Sequence, residues 1–297
     1  MALGKTKARI HSMNPNSLVF TIFLGVLAAV PALSIDISAP TLALLPGVLD
    51  TSRLVAGLTI SLFMAGFALG QLSGGVLSDR HGRKPVLLLG FLIYVTAGVA
   101  CALSMSGVGM VASRFVQGFG AGTCAVLSFA IVQDLFQGAA ARSKRAYVTV
   151  VVGTAPILAP ALGSVIVELE GWRAVHVVLA AGGLVLLAVV WLCFSESHVP
   201  RPPTIELTRQ RPEPLRADTR FVKLALVNSL SYGAVFAYIA GAPVVVMDYY
   251  RGTSRIYAGI FACTAVAVAA GAWTRAVQRL RMAVSESRFL MPARPAR

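Results

Sequence analysis

Long apolar runs without charged residues dominate the chain. Eight of them are long enough to cross a bilayer as helices, which takes about 20 residues each. They cover residues 12–35, 54–78, 85–113, 115–133, 146–167, 174–195, 224–247 and 256–274. A buried helix of a soluble protein would explain one such run but not eight. The pattern therefore predicts an all-α membrane protein with about eight transmembrane helices.

The composition agrees with this pattern. Apolar residues make up 57% of the chain and charged residues 13%, against about 25% charged in soluble domains. The four cysteines lie apart from one another inside apolar runs, which indicates apolar packing and predicts no metal site. The sequence has no phosphate-binding Gly-Lys-Ser/Thr loop, no GxSxG and no HExxH. We therefore predict neither an enzyme nor a cofactor.

The net charge of +14 is interpreted as a topology signal. If the loops alternate between the two sides of a membrane, 21 of the 26 Lys and Arg residues lie on the side of the N-terminus and 4 on the other side. The remaining one, Arg114, lies between two apolar runs. The positive-inside rule then places the N-terminus in the cytoplasm. The positive charge accordingly predicts contact with anionic lipid heads and not with nucleic acid.

Proline and charge divide the chain into five predicted segments. These are a cytoplasmic N-terminus (1–16), six spans (17–195), a charged, proline-rich cytoplasmic linker (196–220), two more spans (221–274) and a basic cytoplasmic tail (275–297). Six spans, a linker and a second set of spans are the plan of a transporter built from two six-helix halves. We expect a complete first half and a second half truncated after two helices.

The loop between the second and third spans carries the most specific motif, GGVLSDRHGRK over residues 74–84. Gly75 would let a neighbouring helix come close, and Gly82 would allow a tight reversal. Asp79 would cap a helical turn or pair with a cation. The basic residues would hold the loop in the cytoplasm; they are Arg80, Arg83 and Lys84. An ordinary positive-inside turn would not need glycine and aspartate at these ordered positions.

This spacing resembles the loop signature of the Major Facilitator Superfamily, a family of transporters. The resemblance implies a conformational latch, and Asp134 in IVQDLF matches its expected acidic partner for Asp79 and Arg83. In span four, the spacing of Arg114, Gln117, Gly118 and Gly122 resembles a family motif whose arginine is implicated in proton or substrate coupling. An arginine inside a span costs roughly 2.5–3.5 kcal/mol and should face protein or water. The alternative is an arginine that extends to the membrane interface.

Asp36 is the one carboxylate deep in the first span, between Pro31 and Pro40. Prolines loosen the helical backbone, and burial favours the neutral form of a carboxyl, which suits a group that gains and loses a proton. The alternative is an interfacial aspartate. The stretch SIDISAP around Asp36 and AYIAGAP at 237–243 resemble the first and seventh spans of the Bcr/CflA drug-resistance branch.

The fifth span carries small residues at every fourth position, which favours close helix packing. They are Ala155, Ala159 and Gly163. Pro156 and Pro160 each follow an alanine where the superfamily's antiporter signature has a Gly-Pro pair, so that resemblance is partial. Further along the chain, His176 is interpreted as an interfacial histidine near the predicted interface anchor Trp172.

The resemblance implies a major facilitator-type helical bundle in the bacterial inner membrane that exports drug-like small molecules in exchange for protons by alternating access. Asp36 would exchange protons, Arg114 would couple charge to substrate, and the Asp79 loop would stabilise the outward state. The partners are then the substrate, protons and the lipid bilayer. Two alternatives stay open: a truncated membrane remnant or scaffold that does not transport, and an uptake symporter of the same superfamily.

Overall fold

The computed structural model describes residues 13–197 and 219–271, apart from 254, 258, 265 and 268–269. Within these ranges the chain is mostly helical and contains no strand. Residues 1–12 of the predicted N-terminus, residues 198–218 of the predicted linker and the predicted tail lie outside the described residues.

The first half is a bundle of long helices. Its elements are α1 (Leu18–Asp36), a 3-10 helix (Ala39–Ala43), α2 (Leu45–Val48), α3 (Arg53–His81), α4 (Arg83–Ala102), α5 (Gly107–Leu135), α6 (Gly138–Glu170) and α7 (Trp172–Cys193). The second half contributes α8 (Thr219–Pro243), a π-helical stretch (Val244–Tyr249) and helical residues at 255–257 and 259–264.

Six helices in the described residues are long and apolar enough to cross a membrane: α1 with its 3-10 extension, and α3 to α7. They match the six spans predicted for the first half. An apolar helical stretch, Val222–Val235, lies within α8. The two spans of the second half stay predictions.

Local sequence explains where these helices begin. Ser17, Ser52 and Ser106 each precede a helix, and each hydroxyl accepts a hydrogen bond from a backbone N–H in the first turn. Such caps satisfy donors that have no partner inside the helix. At the boundary between α3 and α4, Gly82 adopts a φ of 94°, which favours glycine because a side chain is strained there. The predicted tight reversal therefore lies at Gly82.

The helices α3 and α5 pack backbone against backbone, and glycines make this close approach possible. A Cβ atom on Gly70 would collide with the backbone carbonyl of Phe119, and one on Gly118 would collide with the carbonyl of Phe63. The expected close approach at Gly75 is wrong, because a Cβ there would meet nothing within 4 Å. Its neighbour Gly74 makes the contact instead, with Thr123 Cα 3.0 Å from the ideal Cβ position. The glycine of the motif that faces α5 is therefore Gly74, one residue before the predicted one.

Around this pair, α1 packs against α5 and α6, while α4 packs against α5 and α7. Large apolar side chains on the outer faces remain exposed, such as Leu72, Leu103 and Val108. Soluble monomers rarely expose so many, but lipid-facing helices do. The interior between α1, α4, α5 and α7 is where the candidate polar residues lie.

We predict that Gly70→Ala lowers the thermal stability of the purified protein. The new methyl group would collide with backbone atoms of Phe119, which cannot move aside as a flexible side chain can. Overpacking of this kind costs about 1–3 kcal/mol. Gly75→Ala on the same helix is the matched control and should leave the melting temperature unchanged or slightly higher. Equal melting temperatures for the two variants would contradict the packing described for α3 and α5.

Candidate functional site

Asp36 is the last residue of α1 and lies inside the bundle with 2% of its surface exposed. Its Oδ1 atom has no hydrogen-bond partner among the described residues. Pro31 lies inside α1 and Pro40 inside the following 3-10 helix, so the chain changes its helical geometry at the carboxyl group. Asp36 is thus buried in protein and not exposed at the rim of the bundle.

Arg114 lies two turns inside α5 and is 1% exposed. Its guanidinium donates to Gln117 Oε1 at 2.9 Å, to Ser38 Oγ at 3.1 Å and to the Ser34 carbonyl at 3.3 Å. It also lies over the Phe63 ring, 4.4 Å from the centroid. In the described part of the chain its side-chain acceptors are an amide and a hydroxyl and not a carboxylate, so neutral groups solvate this buried charge.

These bonds join Arg114 to the Ser34 carbonyl of α1 and to the Ser38 hydroxyl just after α1, on either side of Asp36. Ser34 precedes Asp36 by two residues and Ser38 follows it by two. Ser34 also shares a 2.7 Å hydrogen bond with the Tyr94 hydroxyl of α4. The end of α1 is therefore held by polar contacts from two neighbouring helices, while the carboxyl of Asp36 keeps one oxygen free of them.

His176 of α7 belongs to the same buried region. It is 1% exposed, and neither ring nitrogen has a hydrogen-bond partner among the described residues. Its interfacial position stays a prediction. Gln117 Nε2 is likewise unpartnered within the described chain. Buried polar atoms normally have partners, and ordered water is the usual partner where protein groups supply none. The sequence offered no signal that would bring His176 to this cluster.

The predicted latch residues Asp79, Arg83 and Asp134 come together at the other end of the bundle. Arg83 Nε and Nη2 donate to the two carboxylate oxygens of Asp134 at 2.7 and 3.3 Å. Arg83 Nη1 donates to Asp79 Oδ1 and to Ser78 Oγ, both at 2.6 Å. The side chains of Arg83 and Asp134 are 7% and 21% exposed, so their bidentate pairing is largely shielded from water, whereas Asp79 is 63% exposed. We call Ser78, Asp79, Arg83 and Asp134 the latch cluster.

Glu196 joins the latch cluster to the end of α7, and sequence reasoning missed it. Its carboxylate accepts from the backbone N–H groups of Arg83 at 2.9 Å and Lys84 at 3.0 Å, the first residues of α4. Lys84 Nζ in turn donates to the carbonyl of Trp191 at 3.0 Å. Glu196 was assigned to the linker because charged residues follow it. An acidic residue directly after a span can bind the N-terminus of another helix, and this pattern would have predicted the role of Glu196.

The remaining predicted residues fall in two places. Arg80 is exposed at the end of α3. In α6, Ala155, Ala159 and Pro160 are buried and Pro156 is half-buried, and the helix runs through both prolines. A Cβ atom on Gly163 would collide with the carbonyl of Ile37. The small-residue face of α6 therefore packs directly beside Asp36.

The sequence profile of the Major Facilitator Superfamily matches residues 18–291. The chain belongs to the Major Facilitator Superfamily. It is 30% identical over 261 residues to the "Uncharacterized MFS-type transporter YdgK" of Bacillus subtilis, covering 86% of this chain and 65% of the relative. It is also 30% identical over 217 residues to the "Multidrug resistance protein MdtL" of Escherichia coli, covering 73% of this chain and 55% of the relative. The chain thus spans less than two thirds of these relatives.

Solved structures agree on the fold. A bacterial homologue of the human lysosomal transporter Spinster, in an inward-facing and occupied conformation, matches with a TM-score of 0.69 at 17% identity. That match covers 84% of this chain and 59% of the other. The human organic anion transporter MFSD10 matches with a TM-score of 0.55 at 22% identity, covering 84% of this chain and 69% of the other. The family and these neighbours are multi-pass membrane transporters and not enzymes.

We predict that Arg83→Lys destabilises the protein, because an ammonium group cannot reproduce the paired hydrogen bonds to Asp134 together with those to Asp79 and Ser78. Each hydrogen bond to a charged group contributes roughly 1.5–3 kcal/mol, so a clear fall in melting temperature is expected. Arg80→Lys, at an exposed arginine in the last turn of α3, serves as the control and should have the same melting temperature as the unaltered protein. Unchanged melting of Arg83→Lys would mean that the latch cluster contributes little to the fold.

Proposed function

We propose that this chain exports drug-like small molecules in exchange for protons by alternating access, with Asp36 as the proton-exchanging group. The observation that carries the proposal is the burial of Asp36 and Arg114 on adjoining helices within one transporter-type bundle. Both groups are expensive to place in an apolar interior. A transporter that must bind and release a proton has a use for such groups there.

Asp36 fits the role of proton-exchanging group because its surroundings do not hold its carboxyl group in the ionised form. Its Oδ1 atom has no partner among the described residues, so the ionised form is poorly solvated and the protonated form is easily accommodated. Entry of water, or of a cationic substrate group, would reverse that preference. Proton release would then follow exposure of the carboxyl group and proton uptake its burial.

Arg114 fits the role of a coupling residue. It holds the Ser34 carbonyl and the Ser38 hydroxyl on either side of Asp36, so a movement of α5 is transmitted to the end of α1. Its positive charge is balanced by neutral acceptors in the described chain, which leaves it able to respond to an anionic or polar group entering the cluster.

The latch cluster and Glu196 fit the conformational part of the proposal. They join α3, α4, α5 and the end of α7 at one end of the bundle. In the predicted topology this end faces the cytoplasm, where alternating access needs a contact that stabilises one state and breaks in the other. We assign that contact to Arg83 and its two carboxylate partners. Its role is to stabilise the outward state.

The class of substrate rests on the relatives. The MdtL proteins carry the description "Multidrug resistance protein", which favours export of drug-like molecules by this chain as well. The Bcr/CflA resemblance around Asp36 leads to the same proposal. The two competing functions are uptake of a solute and a membrane scaffold that does not transport. The following experiment distinguishes them from export.

We predict that cells expressing the chain expel a fluorescent drug-like dye, that a proton uncoupler abolishes this efflux, and that Asp36→Asn lowers it to the level of cells without the protein. Asparagine fills the same space but cannot exchange a proton. Asp50→Asn is the matched control, since Asp50 is an exposed carboxyl in the loop before α3. Membrane fractions analysed by immunoblot should contain all three proteins in equal amounts.

Three results would contradict the proposal. Uncoupler-sensitive efflux by Asp36→Asn would remove Asp36 from the mechanism. Proton-driven accumulation of the dye would assign uptake to the chain. Absence of efflux from cells with a correctly inserted, unaltered chain would favour a membrane protein that does not transport.

A further inference from the structure

An ion pair joins the two halves at one end of the bundle. Arg255 belongs to the helical residues 255–257 of the second half, and Glu168 lies in the last turn of α6. Arg255 Nε and Nη2 each lie 2.9 Å from Glu168 Oε2, so two donors of the guanidinium share one carboxylate oxygen. The side chains of Arg255 and Glu168 are 82% and 31% exposed, so water reaches both charges. We call Glu168 and Arg255 the outer pair.

The outer pair lies at the opposite end of the bundle from the latch cluster. Asp134 of the latch cluster lies at the end of α5, just before α6 begins at Gly138. Glu168 lies close to the other end of α6, a helix of 33 residues that is long enough to cross a membrane. In the predicted topology the latch cluster faces the cytoplasm. The outer pair then lies on the extracytoplasmic side.

The outer pair also lies close to the end of α1 that carries Asp36. Gly163 of α6 packs against the backbone carbonyl of Ile37, the residue after Asp36. Glu168 follows Gly163 by five residues, which is about 7.5 Å along a helix axis. The second half covers the same region, since α8 and the π-helical stretch pack onto the 3-10 helix Ala39–Ala43. Separation of the two halves at this end would therefore uncover the chain just after Asp36.

We propose that the outer pair is a gate, which holds the two halves together on the extracytoplasmic side and breaks when the bundle opens there. This inference rests on the proposed alternating access. An ion pair as exposed as this one contributes little to stability, because water competes for both charges. Such a weak contact suits a gate that opens and closes in every cycle. Loss of either charge shifts the equilibrium towards the open arrangement and leaves the fold intact.

The test is the reactivity of a thiol introduced by Thr41→Cys, and it needs no transport. Thr41 lies in the 3-10 helix onto which the second half packs and is 1% exposed. In spheroplasts, a membrane-impermeant maleimide should label position 41 only while the extracytoplasmic end is open. Mass spectrometry of the peptide that contains position 41 separates this label from the native cysteines. Glu168→Gln and Arg255→Gln should each raise the initial labelling rate about two- to fivefold, the size expected for an exposed ion pair.

Two control variants separate the pairing from a general effect of charge. Glu170→Gln removes an exposed carboxyl two residues further along α6 and should leave the labelling rate unchanged. Glu168→Arg combined with Arg255→Glu exchanges the two charges and should return the rate close to that of the Thr41→Cys chain. If Thr41→Cys fails to fold, Ala43→Cys at a half-buried position of the same 3-10 helix makes the same comparison.

Unchanged or slower labelling in either single variant would overturn the gate and leave the proposed alternating access standing. An equal rise in Glu170→Gln, or a rate that stays high when the charges are exchanged, would also overturn it, because the effect would then not come from the pairing. If position 41 is labelled in no variant, although it is labelled fully after denaturation, both the gate and the proposed alternating access are overturned.

Discussion

The structure depends on keeping a guanidinium and a carboxyl group inside an apolar helical bundle without pairing them to each other in the described contacts. Arg114 is solvated by Gln117, Ser34 and Ser38, and these bonds fix the spacing between α5 and the end of α1. Asp36 lies between the two serines in sequence, and its Oδ1 atom accepts no hydrogen bond among the described residues. A direct ion pair would neutralise both groups. Under the proposed function, this arrangement leaves each group able to respond to a proton or a substrate.

Close helix packing makes this arrangement possible. The glycines of α3 and α5 bring two backbones into contact, and Gly163 brings α6 against the backbone of Ile37 beside Asp36. At the other end, Arg83 joins three helices through short hydrogen bonds, and Glu196 anchors the beginning of α4 to the end of α7. The first half is thus one packed body, which the proposed rocking of one half against the other requires.

Six spans and the loop motif followed from sequence, because uncharged runs and motif spacing are local properties. The meeting of Asp79, Arg83 and Asp134 followed from the resemblance to the family's loop signature. Tertiary contacts were not accessible in the same way. Gly75 and Gly74 are adjacent glycines, and only the rotation of α3 decides which one faces α5. Glu196 reaches the backbone N–H groups of Arg83 and Lys84 across a long stretch of chain, and no local sequence pattern predicts such a contact.

The most direct test of the account is proton release from the purified protein when a drug-like dye binds in a weakly buffered solution. If Asp36 exchanges its proton for substrate, dye binding followed by fluorescence should acidify the solution for the unaltered chain and for Asp50→Asn, but not for Asp36→Asn. Dye binding without acidification by the unaltered chain, or equal acidification by Asp36→Asn, would contradict it.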